Sequence, residues 1–274
     1  MKKIFIFSFI IALSLNINAQ SNRPVGARQS GMGGNGVVFS DVWSSFHNQA
    51  GLANIKGISA GVYFSNSFNI SNMGTKAFAF AMPVVKNGSF GVNYTRFGYS
   101  AFSENKFGLA YSMRLGKRLT GGIQIDYFLM QQGLNYGNIG AFAGEIGLMA
   151  EPIDNLIIAA HVFNPWSAGY GDDVSQKLPT VLRVGVGYNF SEKVIFSIEG
   201  EKDIDLPAVL RAGVEYNVVA GLFLRTGIST NPVEFAFGAG YNYNNIQLDF
   251  SFIRHSILGY YPQFSLNYTF VKKK

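Results

Sequence analysis

The chain contains no cysteine. That excludes disulfide staples, thiol nucleophiles and thiolate metal sites together. Charge is scarce as well: Asp, Glu, Lys and Arg make up 14% of the 274 residues, against roughly 25% in ordinary soluble domains. Beyond the N-terminal stretch no run of about 18 apolar residues occurs, so no transmembrane helix is available to the body of the chain. His47, His161 and His255 stand far apart, and neither His-x-x-x-His nor His-Glu-x-x-His occurs. There is no Gly-x-Ser-x-Gly elbow either. No cofactor, no metal and no catalytic residue is expected, and the chain does not read as an enzyme.

The chain does hold 25 Phe, 14 Tyr and 32 Gly. A Gly-rich, aromatic, charge-poor chain without an apolar helix fits strands that hide their lipid-facing residues by alternation. The formal charge of +6 sits largely at the ends, in Lys2, Lys3, Lys272, Lys273 and Lys274; without those five the body is +1. The basic balance therefore gives no reason to expect a nucleic-acid partner.

Lys2 and Lys3, the apolar stretch from Ile4 to Leu15 and the Ile17-Asn18-Ala19 site have the plan of a signal peptide over residues 1–19. Residues 20–56 read as irregular chain with one short helix near Asp41 to Phe46. From Ile58 on, the pattern is period two. Leu182, Val184, Val186 and Tyr188 alternate with Arg183, Gly185 and Gly187; Phe264, Leu266, Tyr268 and Phe270 alternate with Ser265, Asn267 and Thr269. Fourteen such segments are expected, near 57–65, 75–84, 89–98, 105–115, 120–131, 141–150, 155–163, 180–190, 194–202, 208–217, 221–229, 234–243, 246–254 and 261–270, with twelve as the alternative count. Their length suits a tilted strand that crosses a bilayer in about nine to eleven residues.

Alternate links between these segments are tight and carry turn residues, such as Lys86-Asn87-Gly88, Ser191-Glu192-Lys193 and Asn244-Asn245. The others are longer on average, the longest running from Asn164 to Pro179. Short turns at one end and longer loops at the other is the plan of an outer-membrane barrel. A soluble β-sandwich also alternates, but its large apolar face must be buried. Here the opposite face is small or polar, and such residues do not fill a dry core. The fold class expected is all-β: an antiparallel transmembrane β-barrel of about fourteen strands over 57–270, its partner being outer-membrane lipid. A basic periplasmic tail follows at 271–274.

If the apolar phase meets lipid, Arg114, Asp126, Glu145, His161, Arg183, Glu199, Arg211, Glu215, Arg225 and Asp249 face the lumen. Two roles suit them: a charged conduit, or Arg–carboxylate pairs that tie strands across a filled lumen. The second fits better, because many other inward residues are Gly, Ala and Ser, which allow close packing. Gly31-Met32-Gly33-Gly34-Asn35-Gly36 lacks the Gly-Lys-Ser/Thr ending of a phosphate loop and reads as close packing or a turn.

The segment Gly26-Ala27-Arg28-Gln29-Ser30-Gly31-Met32-Gly33-Gly34 resembles the N-terminal part of FadL-like barrels, and more narrowly of the PorV/PorQ family. Asn48-Gln49-Ala50-Gly51-Leu52-Ala53 is similar to that family's Asn-Pro-Ala-Gly-Leu-Ala signature, with Gln49 where the family has proline. The resemblance implies fourteen strands and an N-terminal hatch, residues 20–56, folded into the lumen. It implies an accessory role in type IX-like protein secretion or surface assembly, with a secretion-machinery or secreted-protein partner. The alternatives are a FadL-like channel for small hydrophobic ligands, which in those relatives pass through the barrel wall, and a plugged structural barrel. Leu266, Tyr268 and Phe270 resemble the terminal-strand signal by which barrels are recognised for insertion.

Overall fold

The computed structural model describes residues 24–66, 74–84, 88–133, 137–170, 177–255 and 259–270. The expected signal peptide and basic tail lie outside the described residues. Fourteen strands follow in order: β1 Ile58–Asn66, β2 Gly74–Val84, β3 Gly88–Tyr99, β4 Phe102–Arg114, β5 Leu119–Gln132, β6 Gly137–Ile153 and β7 Leu156–Phe163. Then come β8 Val181–Ser191, β9 Val194–Asp203, β10 Val209–Val219, β11 Leu222–Ser229, β12 Glu234–Tyr243, β13 Ile246–His255 and β14 Gly259–Phe270. Each pairs antiparallel with its neighbours, and β1 pairs with β14, which closes the barrel. Closure leaves no free edge strand, as a chain in lipid requires; residues 137–144 of β6 run past the end of their neighbour β7.

The alternation decides which face goes where. In β8, Leu182, Val184, Val186 and Tyr188 are exposed while Arg183, Gly185 and Gly187 are buried. Leu266, Tyr268 and Phe270 of β14 likewise face outward, the last two rings 4.5 Å apart. β6 departs most from its expected bounds, while the short β7 keeps to its own. β6 runs for 17 residues, starting earlier than its apolar signal does. Its extra residues at the start are Gly137, Asn138, Ile139 and Gly140, which have no large apolar side chain in the outward phase; Tyr127 of β5 covers Gly140 from outside, its hydroxyl 2.6 Å from where a Cβ would stand. β7 spans 8 residues and stops at Phe163. The next residue, Asn164, takes a φ of 52° and turns the chain away.

Inside the barrel lies the segment from Pro24 to Lys56. It contains the helices α1 (Ala27–Gly31) and α2 (Ser44–His47) and a 3-10 turn at Gln49–Asn54. The short helix expected at Asp41 to Phe46 is thus displaced toward its end. Asp41 itself lies before α2, where its Oδ1 accepts the Trp43 amide at 2.9 Å. Met32, Trp43, His47, Gln49 and Leu52 are fully buried. Glycines of the wall make the fit possible. Gly213 and Gly227 stand opposite each other on β10 and β11, and a Cβ on Gly213 would lie 2.5 Å from the Met32 carbonyl oxygen. Gly33 answers from the plug: its φ is 77°, and a Cβ there would lie 2.8 Å from the Ile228 backbone. Plug backbone rests directly on wall backbone. The Gly31–Gly36 cluster is a packing surface.

Candidate functional site: a plugged lumen with a pocket above it

Three clusters of charge line the lumen, and the plug reaches into each. In the first, Arg28 of α1 donates to both carboxylate oxygens of Glu215 at 2.9 and 2.8 Å. Arg225 donates to the same Glu215 at 2.5 Å and to Asp249 at 2.7 Å. Arg28 also meets Asp41 at 3.3 Å, and Gln29 donates to that carboxylate at 2.9 Å. Burial alone would lower the pKa of Arg28; the Glu215 and Asp41 carboxylates raise it above the ordinary range. Burial pushes Asp41 the other way, upward, against the pull of Arg28.

In the second cluster Arg183 and Arg211 share Glu201, at 2.7 and 3.0 Å. Arg211 also reaches Glu199 at 3.4 Å. Glu199 in turn accepts the backbone amides of Gly36 and Val37 at 2.8 and 2.9 Å. In the third, Glu145 accepts from Lys106 at 2.5 Å, His161 Nε2 at 2.8 Å, Gln124 at 3.1 Å and Gln49 of the plug at 2.5 Å. Asp126 stands 3.3 Å from Lys106 and accepts from Gln124 at 2.8 Å. The plug also carries His47, whose Nε2 donates to the Val25 carbonyl at 2.8 Å. Burial, with the charge of Arg183 behind it, pushes the His47 imidazole down to about 3.

The structure thus brings together nine of the ten inward residues read from phase. Arg114 is the exception. It ends β4 at the turn end of the barrel and is exposed, and no ion pair to it is seen among the described residues. The polar phase there runs past the rim into solvent. Among the hatch residues, Arg28 and Gln49 tie plug to wall, Asn48 donates to the Val37 and Leu148 carbonyls at 3.0 and 3.1 Å, and Ala50, Gly51 and Leu52 are buried in the 3-10 turn. Gly26 and Gly34 hold positive φ, of 103° and 82°.

Sequence reasoning missed Lys106 and Glu201, although each shares phase with inward neighbours, Gly108 and Glu199. It also missed a pocket of about 110 Å³ on the loop side of the plug. Phe97, Phe128 and Phe163 form its sides, Phe46 comes from the plug, and Tyr170 and Leu178 from the loop after β7. Lys106, Glu145, His161 and Arg183 belong to its polar lining, together with Glu104, Asn105, Thr75 and Thr95. A signal existed. Phe97, Phe128 and Phe163 are large rings in the polar phase, each near the loop end of its strand.

The loop closing this pocket is built on Asn164. Its side chain donates to the Ala168 and Leu178 carbonyls, both at 3.1 Å, and accepts the Ala168 amide at 2.8 Å. Leu178 and Tyr170 pack inward on Ala141 and Ala143 of β6. Trp166 goes the other way. Its ring lies over Gly144, whose phase between Ala143 and Glu145 is outward, so the indole covers the outer wall.

No family model and no curated protein sequence matches the chain. Solved structures do. A CymD monoaromatic hydrocarbon channel superposes with a TM-score of 0.68 at 14% identity, over 91% of this chain and 98% of that one. The fold is that of these channels. The Pseudomonas putida toluene transporter TodX gives 0.66 at 13% identity, over 92% and 100%. A Pseudomonas aeruginosa FadL homologue gives 0.62 at 11%, over 91% and 99%. The FadL-like resemblance read from the N-terminal motif is matched at the level of fold. Nothing in these likenesses speaks for the PorV/PorQ branch or for protein secretion.

Proposed function

We propose that the protein is an outer-membrane channel that admits small hydrophobic molecules about one aromatic ring in size. The observation that carries this reading is the pocket of about 110 Å³ with phenylalanine sides, set between plug and loop. An apolar cavity of roughly 150 Å³ holds benzene in another protein, so one ring is the right scale. The fold shared with hydrocarbon channels supports the same reading. So does the step in the wall. β7 ends at Phe163 while β6 continues to Gly137, and Trp166, Tyr170 and Leu178 of the following loop pack against β6 there. A molecule in the pocket has a short, loop-covered stretch of wall beside it and lipid beyond.

An accessory role in protein secretion rests on the resemblance at Gly26–Gly34 and Asn48–Ala53 alone, and no finding supports it. The channel reading is tested by expressing the full chain in a porin-poor Gram-negative host and measuring entry of radiolabelled toluene. Entry should exceed that of the empty-vector strain severalfold. Rates equal to the vector control would overturn it.

A further inference from the structure

Glu145 receives four donors, and one of them is His161 Nε2 at 2.8 Å. An ionised carboxylate only accepts, so the hydrogen sits on Nε2. The neutral imidazole then offers a lone pair at Nδ1. Among the described residues that atom has no hydrogen-bond partner, and it is closed to water, His161 being 2% exposed, so a hydroxyl meets it when a neighbouring pocket side chain shifts. His161 also lines the pocket, next to the ring of Phe163 two residues on. A buried acceptor left without a donor is destabilising, so the site gains by receiving one.

We infer that the pocket selects single-ring molecules carrying a hydroxyl, phenols above all, with the hydroxyl donating to His161 Nδ1 and the ring packed among Phe97, Phe128 and Phe163. This rests on the channel reading and names its substrate class more narrowly. Charge in the pocket argues against an anionic head group. The Lys106 ammonium is met by both Asp126 and Glu145, and the Arg183 guanidinium by Glu201. Glu104 and Glu145 line the pocket beside Lys106 and Arg183, so an entering carboxylate would meet acids as well as cations. A neutral donor meets no such conflict. A plain hydrocarbon fills the apolar part and leaves Nδ1 unsatisfied.

The test uses the full-length protein in detergent micelles and fluorine NMR with four matched probes: 4-fluorophenol, 4-fluorotoluene, 4-fluoroanisole and 4-fluorobenzoate. After correction for partition into protein-free micelles, the phenol should bind about tenfold tighter than toluene, anisole and benzoate. Anisole is the decisive control, because it keeps the oxygen and loses the proton. In His161→Phe the preference should vanish while 4-fluorotoluene still binds. Should that variant fail to fold, nitrogen-15 NMR of labelled histidine in the unaltered protein gives the answer, since the Nδ1 resonance should move on addition of phenol and not of anisole. Equal affinities for phenol, anisole and toluene overturn this inference and leave the channel reading standing. No saturable binding of any probe overturns both.

Discussion

Two of the lumen clusters use the same chemistry in different surroundings. Around Glu215, Arg225 is packed between α1 and the wall strands β10, β11 and β13 with 1% of its side chain exposed, Arg28 keeps 18%, and neither lines the pocket. Around Glu145, the lysine is 14% exposed and stands at the edge of the pocket, with the Phe163 ring 5.4 Å away. Position accounts for the contrast. The first cluster lies where the plug backbone meets wall glycines, which leaves no space for a ligand. The second lies where Phe97, Phe128 and Phe163 hold the wall apart from the plug. One cluster fastens the plug; the other fastens it and also faces a space that a molecule can enter.

Removing the central carboxylate from each cluster separates these roles. Glu215→Ala leaves Arg28 and Arg225 buried beside a single remaining acid each, and should cost about 3–5 kcal/mol. Urea unfolding of the barrel in lipid, followed by gel mobility, would read this as a large fall in midpoint. Glu145→Ala should cost about half as much, because Lys106 keeps Asp126 and water in the pocket can solvate it. Equal losses in the two variants would mean that the pocket offers the lysine no relief, and the contrast would be broken.

A smaller change sharpens the comparison. Gln49→Ala removes the plug's bond to Glu145 and leaves that carboxylate with Lys106, His161 and Gln124. A bond to a charged partner is worth about 1.5–3 kcal/mol, and the remaining donors place this one at the low end. The expected signature is local: faster amide exchange across the turn at Gln49–Asn54, with exchange at Ala27–Gly31 unchanged. Loss of protection at both ends would show that the plug moves as one body.

The sequence reveals these two regions unequally. All fourteen strands were legible, because lipid outside and a polar lumen inside force a strict two-residue period on nearly every strand. The Glu215 cluster was nearly legible too. Its wall members follow from phase, while its plug partners Arg28, Gln29 and Asp41 lacked an assigned contact. The pocket was not. It depends on rings that break the polar phase, on Lys106 at the margin of an expected strand, and on a loop whose fold is set by one asparagine at positive φ. None of these has a periodic signature, and residues 137–140 show why length was misjudged: with glycine at 140 in the outward phase, the strand carries no apolar mark there.

The smallest expected effect belongs to the loop. Trp166 is 60% exposed and covers Gly144 from outside, so Trp166→Ala removes few buried contacts and should change global stability by less than about 0.5 kcal/mol. Its consequence should be local and kinetic. Without the indole, the outer face of β6 is bare beside the end of β7, and the loop is left with the Asn164 and Thr180 hydrogen bonds and the inward packing of Tyr170 and Leu178. Limited proteolysis should then cut within residues 164–180 several times faster than in the unaltered protein. Entry of labelled toluene should rise if the step in the wall is the way out. Faster cleavage with unchanged entry would place the exit elsewhere, while unchanged cleavage would show that the remaining bonds and packing suffice to hold the loop.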